Sequence, residues 1–224
     1  MPPATKGPGA FGRARSSHRT ACPTVVHLGD STSVGLASPS LLPDRSQRMG
    51  AQYARVGVAT WHANFQGATS IVETLPGGTN AYEVARQIGA GGYRGCWVIA
   101  LGTNDAADVS AGSSVGLRAR IDRMMSVIGN DPAMWVTVRT LVGNGPYAEA
   151  NMQRWNMALL QACARYPNMR VFDWASVVRN GWFTPDGIHY TSTGFAARAR
   201  LIADALANAF PAYGATAGSG CLVS

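Results

Sequence analysis

The chain has 224 residues, of which 46% are apolar and 14% charged, a balance that predicts one globular domain and excludes a disordered polyelectrolyte. No apolar run approaches the ~20 residues of a membrane helix, so no span is expected. The formal charge is +7, but Lys6, Arg13, Arg15 and Arg19 place four of those charges in the first nineteen residues, and the mildly basic remainder has no basic helix face, so nucleic-acid binding is not expected.

Residues 1–22 are rich in Gly, Ser, Ala and Pro and read as a flexible basic tail without the apolar core of a secretory signal; a cytoplasmic location is the expectation. The domain runs from 23 to 211, and 212–224 reads as a second flexible tail. Within the domain, "TVVHL" from Thr24 is a first strand and "TWHANF" from Thr60 a weaker one. "NAYEVARQIG" follows as a helix with Asn80 as N-cap, then "CWVIAL" from Cys96 as a strand. "SVGLRARIDRMMSVIG" from Ser114 and "AEANMQRWNMALLQACARY" from Ala148 are helices on either side of the strand "MWVTV" from Met134. "MRVF" from Met169 is another strand, and "TGFAARARLIADALANAF" closes the domain as a helix with Thr193 as N-cap and Phe195, Leu201, Ile202, Ala205 and Leu206 near one stripe.

The strand runs are continuously apolar, as strands covered on both faces are. Their alternation with helices predicts a parallel sheet of about five strands, sandwiched by helices and joined by right-handed crossovers. Cys22, Cys96, Cys163 and Cys221 show no CxxC spacing and no histidine partners, so neither a metal site nor a cofactor is predicted. Cys96 and Cys163 read as buried thiols, with disulfide pairing left open.

In such a sheet ligands bind beyond the carboxyl ends of the strands. Three polar loops should share that rim: Gly29-Asp30-Ser31, "QGATS" around Gly67, and Gly102-Thr103-Asn104-Asp105. A serine needs a base within hydrogen-bond reach and a third group to orient the base. Of four histidines, His18 falls in the tail, and His27 and His62 sit in strands and read as core or rim residues. His189 stands in "FTPDGIHYTSTG", three residues after Asp186, a spacing that lets a tight turn aim a carboxylate at Nδ1 and leave Nε2 for the Ser31 proton. Candidate oxyanion donors are the Ser31 and Gly67 N–H groups and the Asn104 amide. Arg139 and Trp182 are candidate substrate contacts. Trp174, Trp182, Phe183 and Tyr190 fit either a substrate platform or the core, and Arg139 fits a solvated rim equally well.

These blocks, taken in the order Ser31, Gly67, Asn104, Asp186 and His189, resemble the SGNH hydrolase superfamily, the GDSL-type lipases and esterases. The resemblance spans residues 24 to about 210. It implies a three-layer α/β/α, flavodoxin-like fold, with Ser31 as nucleophile, His189 as general base and acid, Asp186 as its orienter and Ser31, Gly67 and Asn104 as the oxyanion hole. The stretch from "VTVRT" to "GIHYTSTG" is similar to saccharide O-acyltransferase domains, which implies an acyl ester or thioester donor and a saccharide acceptor. The competing reading is a flavodoxin-like protein whose "GDSTS" loop cradles a phosphate at a helix N-terminus. That reading gives Asp186, His189 and Asn104 no role, and the loop matches neither GxGxxG nor a P-loop.

Overall fold

The computed structural model describes residues 18–212 and 220–223. Chain order is β1 (Thr24–Gly29), α1 (Ser31–Val34), α2 (Met49–Val56), β2 (Thr60–Phe65), α3 (Ala81–Ala90), β3 (Cys96–Ala100), α4 (Thr103–Ser110) and α5 (Leu117–Ile128). It continues with β4 (Ala133–Val136), α6 (Glu149–Cys163), β5 (Met169–Phe172), α7 (Trp174–Val177), α8 (Ser192–Ala209) and β6 (Leu222–Val223). The strands form one parallel sheet in the order β2-β1-β3-β4-β5-β6. The sheet is thus a strand wider than expected.

Period-two alternation divides each apolar run between two cores. Val25, Val98, Ala100, Met134 and Val136 face Met49, Tyr53 and Val56 of α2 and the Phe195, Ile202 and Leu206 stripe of α8. Val26, Leu28, Trp97, Ile99 and Trp135 pack on the other face against Ala85 of α3, Met124 of α5 and Trp155 of α6. Both faces are covered, which is why these strands carry no polar alternation. The edge strand β2 is the exception, and His62, expected in the core or at the rim, is exposed on it.

Because β2 and β3 flank β1, the strand order reverses there, and in parallel sheets ligands bind beyond the carboxyl ends of the strands at such a reversal. The Gly29-Asp30-Ser31 and Gly102-Thr103-Asn104-Asp105 segments lie at the carboxyl ends of β1 and β3.

Several boundaries differ from expectation. Asn80 does cap α3, in a reciprocal capping box with Glu83, whereas α8 starts two residues earlier than expected, capped by Thr191 rather than Thr193. The expected tails contain structure: Thr20 bridges to Pro211, and β6 pairs with β5. The remainder of both tails lies outside the described residues. Cys96 and Cys163 are not free thiols but half-cystines, in Cys22–Cys96 and Cys163–Cys221. The first bond pins the entry to β1 onto β3, and the second holds β6 beside the end of α6.

The first bond closes a loop of 74 residues. Replacing Cys22 and Cys96 together by alanine is expected to cost about 2–4 kcal/mol, read as a lower denaturation midpoint in urea; an unchanged midpoint would mean that the bond constrains nothing. His27 is fully buried and shares a hydrogen bond at Nδ1 with the Tyr53 hydroxyl (2.9 Å). Burial, aided by the Arg198 charge, pushes its pKa from 6.5 down to about 3. Between those values the unfolded chain binds a proton that the folded one refuses, so this residue makes stability fall as pH drops through the window. His27→Gln should therefore flatten the acid limb of the melting temperature against pH; a limb as steep as that of the unaltered protein would contradict this assignment.

Candidate active site

Ser31 owes its position to the two residues before it. A Cβ at Gly29 would strike the Ser33 side chain, so only glycine lets β1 turn directly into α1. Asp30, fully buried, caps that helix: one carboxylate oxygen accepts from the Thr32 N–H (2.9 Å) and from the Thr32 hydroxyl (2.7 Å). Burial pushes the Asp30 pKa up, against the Thr32 hydrogen bonds, the Arg198 charge and the Thr103 hydroxyl. Ser31 is then the first helical residue, half-buried at the rim.

The Asp186-His189 turn is a local construction. One Asp186 oxygen accepts from the Ile188 N–H (2.9 Å), the His189 N–H (3.0 Å) and the Thr184 hydroxyl (2.8 Å). The other oxygen meets His189 Nδ1 at 2.6 Å. Gly187 at φ +69° closes the turn, and the Phe183–Tyr190 bridge anchors its base, with Tyr190 buried under the Trp174 indole N–H (2.7 Å). Burial alone would raise the Asp186 pKa, but its hydrogen bonds, led by that from His189, hold the carboxyl well below the usual range. It stays ionised beside the imidazole. His189 Nε2 stands 2.9 Å from Ser31 Oγ, across 158 residues of sequence.

Asn104 is the second residue of α4 and is buried. Its Nδ2 donates to the Thr69 carbonyl (2.9 Å), and its Oδ1 accepts the Tyr147 hydroxyl (3.1 Å). Those two contacts orient the amide and leave one Nδ2 hydrogen uncommitted. Gly102, the N-cap two residues earlier, has φ +134°, and a Cβ there would collide with the Trp155 ring. Gly67 lies in the exposed loop after β2, and among the described residues its N–H, like that of Ser31, donates to no protein acceptor. The structure therefore brings Ser31, His189 and Asp186 into one hydrogen-bonded line, with Asn104 at the adjoining strand end.

No protein-family model matches the chain, and no curated protein matches it by sequence. Solved structures do. A lipase/acylhydrolase from Enterococcus faecalis superposes with a TM-score of 0.63 at 16% identity, covering 85% of this chain and 99% of that one. A carbohydrate acetylesterase family member from Sinorhizobium meliloti gives 0.64 at 15%, covering 82% and 97%. The C-terminal catalytic domain of peptidoglycan O-acetyltransferase A from Streptococcus pneumoniae gives 0.57 at 16%, covering 82% and 89%. The chain has the SGNH-hydrolase fold.

On this SGNH scaffold the remaining candidates have protein contacts of their own. Arg139 donates to the Val178 carbonyl (3.1 Å) and to Asn180 Oδ1 (2.9 Å), bracing the segment after α7 at the edge of a surface cavity of about 580 Å³. Trp182 stacks on Trp174 with ring centres 5.9 Å apart, beneath the Arg179 guanidinium. Trp174, Phe183 and Tyr190 are buried in the α8-side core, which selects the core reading for all three. Tyr147, the partner of Asn104, was not foreseen. It sits in a Gly-Pro loop after β4 with no periodicity to single it out.

Proposed function

We propose that the protein is a serine-dependent acyl ester hydrolase or acyltransferase that works through an acyl-enzyme on Ser31. The observation that carries this reading is the continuous hydrogen-bonded line from Asp186 through His189 to Ser31 Oγ, with separations of 2.6 and 2.9 Å. A serine hydroxyl deprotonates only when a neutral imidazole accepts its proton, and the resulting imidazolium needs the fixed negative charge that Asp186 supplies.

Ser31 Oγ attacks the acyl carbonyl as its proton passes to His189 Nε2. The carbonyl oxygen becomes an oxyanion facing the Ser31 N–H, the Gly67 N–H and the free Asn104 Nδ2 hydrogen. Collapse of this intermediate breaks the bond to the alcohol or thiol, which leaves with the proton from His189. An acceptor hydroxyl, from water or a saccharide, then gives its proton to His189 and attacks the acyl-enzyme, and the proton returns to Ser31 Oγ. The donors contribute most if they are held ready before the charge forms.

The carbohydrate acetylesterase and the peptidoglycan O-acetyltransferase among the structural relatives support a small acyl group and a saccharide as donor or acceptor. His189 and Asp186 side chains are 42% and 48% exposed, an open setting that suits a bulky sugar. Pairing of all four cysteines favours an oxidising compartment over the cytoplasm expected from the sequence. No described helix is long and apolar enough to cross a membrane.

A fluorophosphonate probe should label Ser31, and turnover of a short-chain nitrophenyl ester should fall to background in Ser31→Ala and His189→Ala; full turnover in both would defeat the proposal. With a saccharide present, mass spectrometry of the product distinguishes transfer from hydrolysis. Asn104→Ala should lower kcat about 100-fold or more while Ser31 still labels, and a kcat within twofold of the unaltered protein would remove Asn104 from the oxyanion site.

A further inference from the structure

Residues 66–80 form neither strand nor helix, yet both remote oxyanion donors depend on them. Gly67 lies in this loop, and the Asn104 amide is aimed by its Thr69 carbonyl. A chain segment without internal ladders keeps its shape only through contacts to something rigid.

Those contacts converge on one guanidinium. Arg120 of α5 has no solvent exposure, and its donors are all taken. Nη1 donates to Glu73 Oε2 (2.6 Å) and Asp105 Oδ1 (2.8 Å). Nη2 donates to Glu73 Oε1 (2.5 Å) and Ser113 Oγ (2.8 Å), and Nε to the Val115 carbonyl (2.9 Å). Glu73 is the loop's own residue, and Asp105 follows Asn104 on α4. From Thr69 to Glu73 every second residue is tied outward: Thr69 O to Asn104, Ile71 N–H to Asp105 Oδ1 (2.9 Å), and Glu73 to Arg120. Ser70 Oγ adds a bond to Glu73 Oε2 (2.9 Å). Burial pushes Glu73 up, but the Arg120 and Ser113 bonds outweigh it and keep the carboxyl well below the usual range, so the grip is ionic.

We propose that Arg120 is a positioning residue for the oxyanion hole: by gripping Glu73 and Asp105 it locks the 66–73 loop onto the start of α4 and sets the spacing between the Gly67 N–H and Asn104 Nδ2. This rests on the acyl-transfer reading of the site. Stability alone is a poor reason for such a cluster, since a buried ion pair is often no more stable than apolar residues of the same shape. Its distinct contribution is direction. A forked, planar cation with five donors admits one arrangement of its acceptors, which an apolar plug would not enforce. Donors aimed at a developing charge lose their effect when they move by an ångström or so.

The test compares Glu73→Gln, Arg120→Met and Arg120→Lys with the unaltered protein, by ester kinetics and by backbone hydrogen exchange of the resting protein. In Glu73→Gln and Arg120→Met kcat should fall about ten- to hundredfold with KM within about twofold, and exchange should quicken in residues 66–73 while β1 and β3 stay protected. Arg120→Lys, which keeps the charge without the fork, should recover part of kcat. A folded Glu73→Gln or Arg120→Met protein with unaltered kcat, or with unaltered exchange in the loop, overturns the proposal. If Arg120→Met does not fold, Glu73→Gln decides, because Glu73 is 38% exposed and its amide is nearly isosteric. If the unaltered protein turns over no ester, the acyl-transfer reading fails by itself, and the exchange data still report whether Arg120 holds the loop.

Discussion

The buried carboxylate of Asp30 is the point on which the rest of the site rests. A charge with no solvent access must be compensated by hydrogen bonds and by an opposite charge. Its two bonds to Thr32 fix α1 and therefore the direction of Ser31. The opposing charge comes from Arg198 of α8, itself 1% exposed and set 4.9 Å over the Trp174 ring and 5.3 Å over that of Tyr190. Tyr190 is the residue after His189. The Arg198 charge favours the ionised form of Asp30 but burial outweighs it; the two aromatic rings pack the guanidinium in place, with α8 behind the histidine turn.

Local and long-range order divide the Asp186-His189-Ser31 line between them. Asp186 and His189 find each other through a turn of a few residues, with three donors on one carboxylate oxygen, and need little from the rest of the chain. Ser31 and His189 meet only because the sheet folds back through four crossovers before α8 begins. The reversal of strand order at β1 puts Ser31, the β2 loop and Asn104 at adjacent strand ends, and the histidine turn reaches over from the far side of β5. Leu141, after β4, steadies that turn by donating its N–H to the Gly187 carbonyl (2.7 Å).

That division explains what could be read in the sequence. β1, β3, β4 and β5 are legible because burial on both faces leaves a mostly apolar run, broken only by His27 and Arg170 inside it, and α3 because Asn80 and Glu83 sit at capping-box spacing. The Asp186-His189 pair is legible because its contact spans three residues. β6 has two residues and exists through its pairing with β5 and the Cys163–Cys221 bond, neither of which leaves a local signal. The disulfides join cysteines 74 and 58 residues apart, so spacing could not pair them. Tyr147 and Arg120 act through partners 43 and 47 residues away, and Arg120 looks like any arginine of an amphipathic helix until its neighbours are known. α4 leaves little signal because it begins inside the polar Gly102-Thr103-Asn104-Asp105 segment, which reads as a loop.

Three aspartates around one serine show how surroundings, rather than identity, assign a carboxylate its work. Asp30 has no exposure and few donors, so burial raises its pKa and it serves as a cap. Asp105, equally buried, is pushed up to about 7 despite the Arg120 bond, which suits a structural link and not a charge held in reserve. Asp186 is half exposed and surrounded by donors, and it alone is drawn strongly downward. In the proposed mechanism, stabilising an imidazolium that forms and vanishes in each cycle requires an anion that stays charged throughout. Adjacency to Ser31 would have nominated Asp30 for that task. Its environment disqualifies it, and the one carboxylate whose surroundings hold the charge is the one within reach of Nδ1.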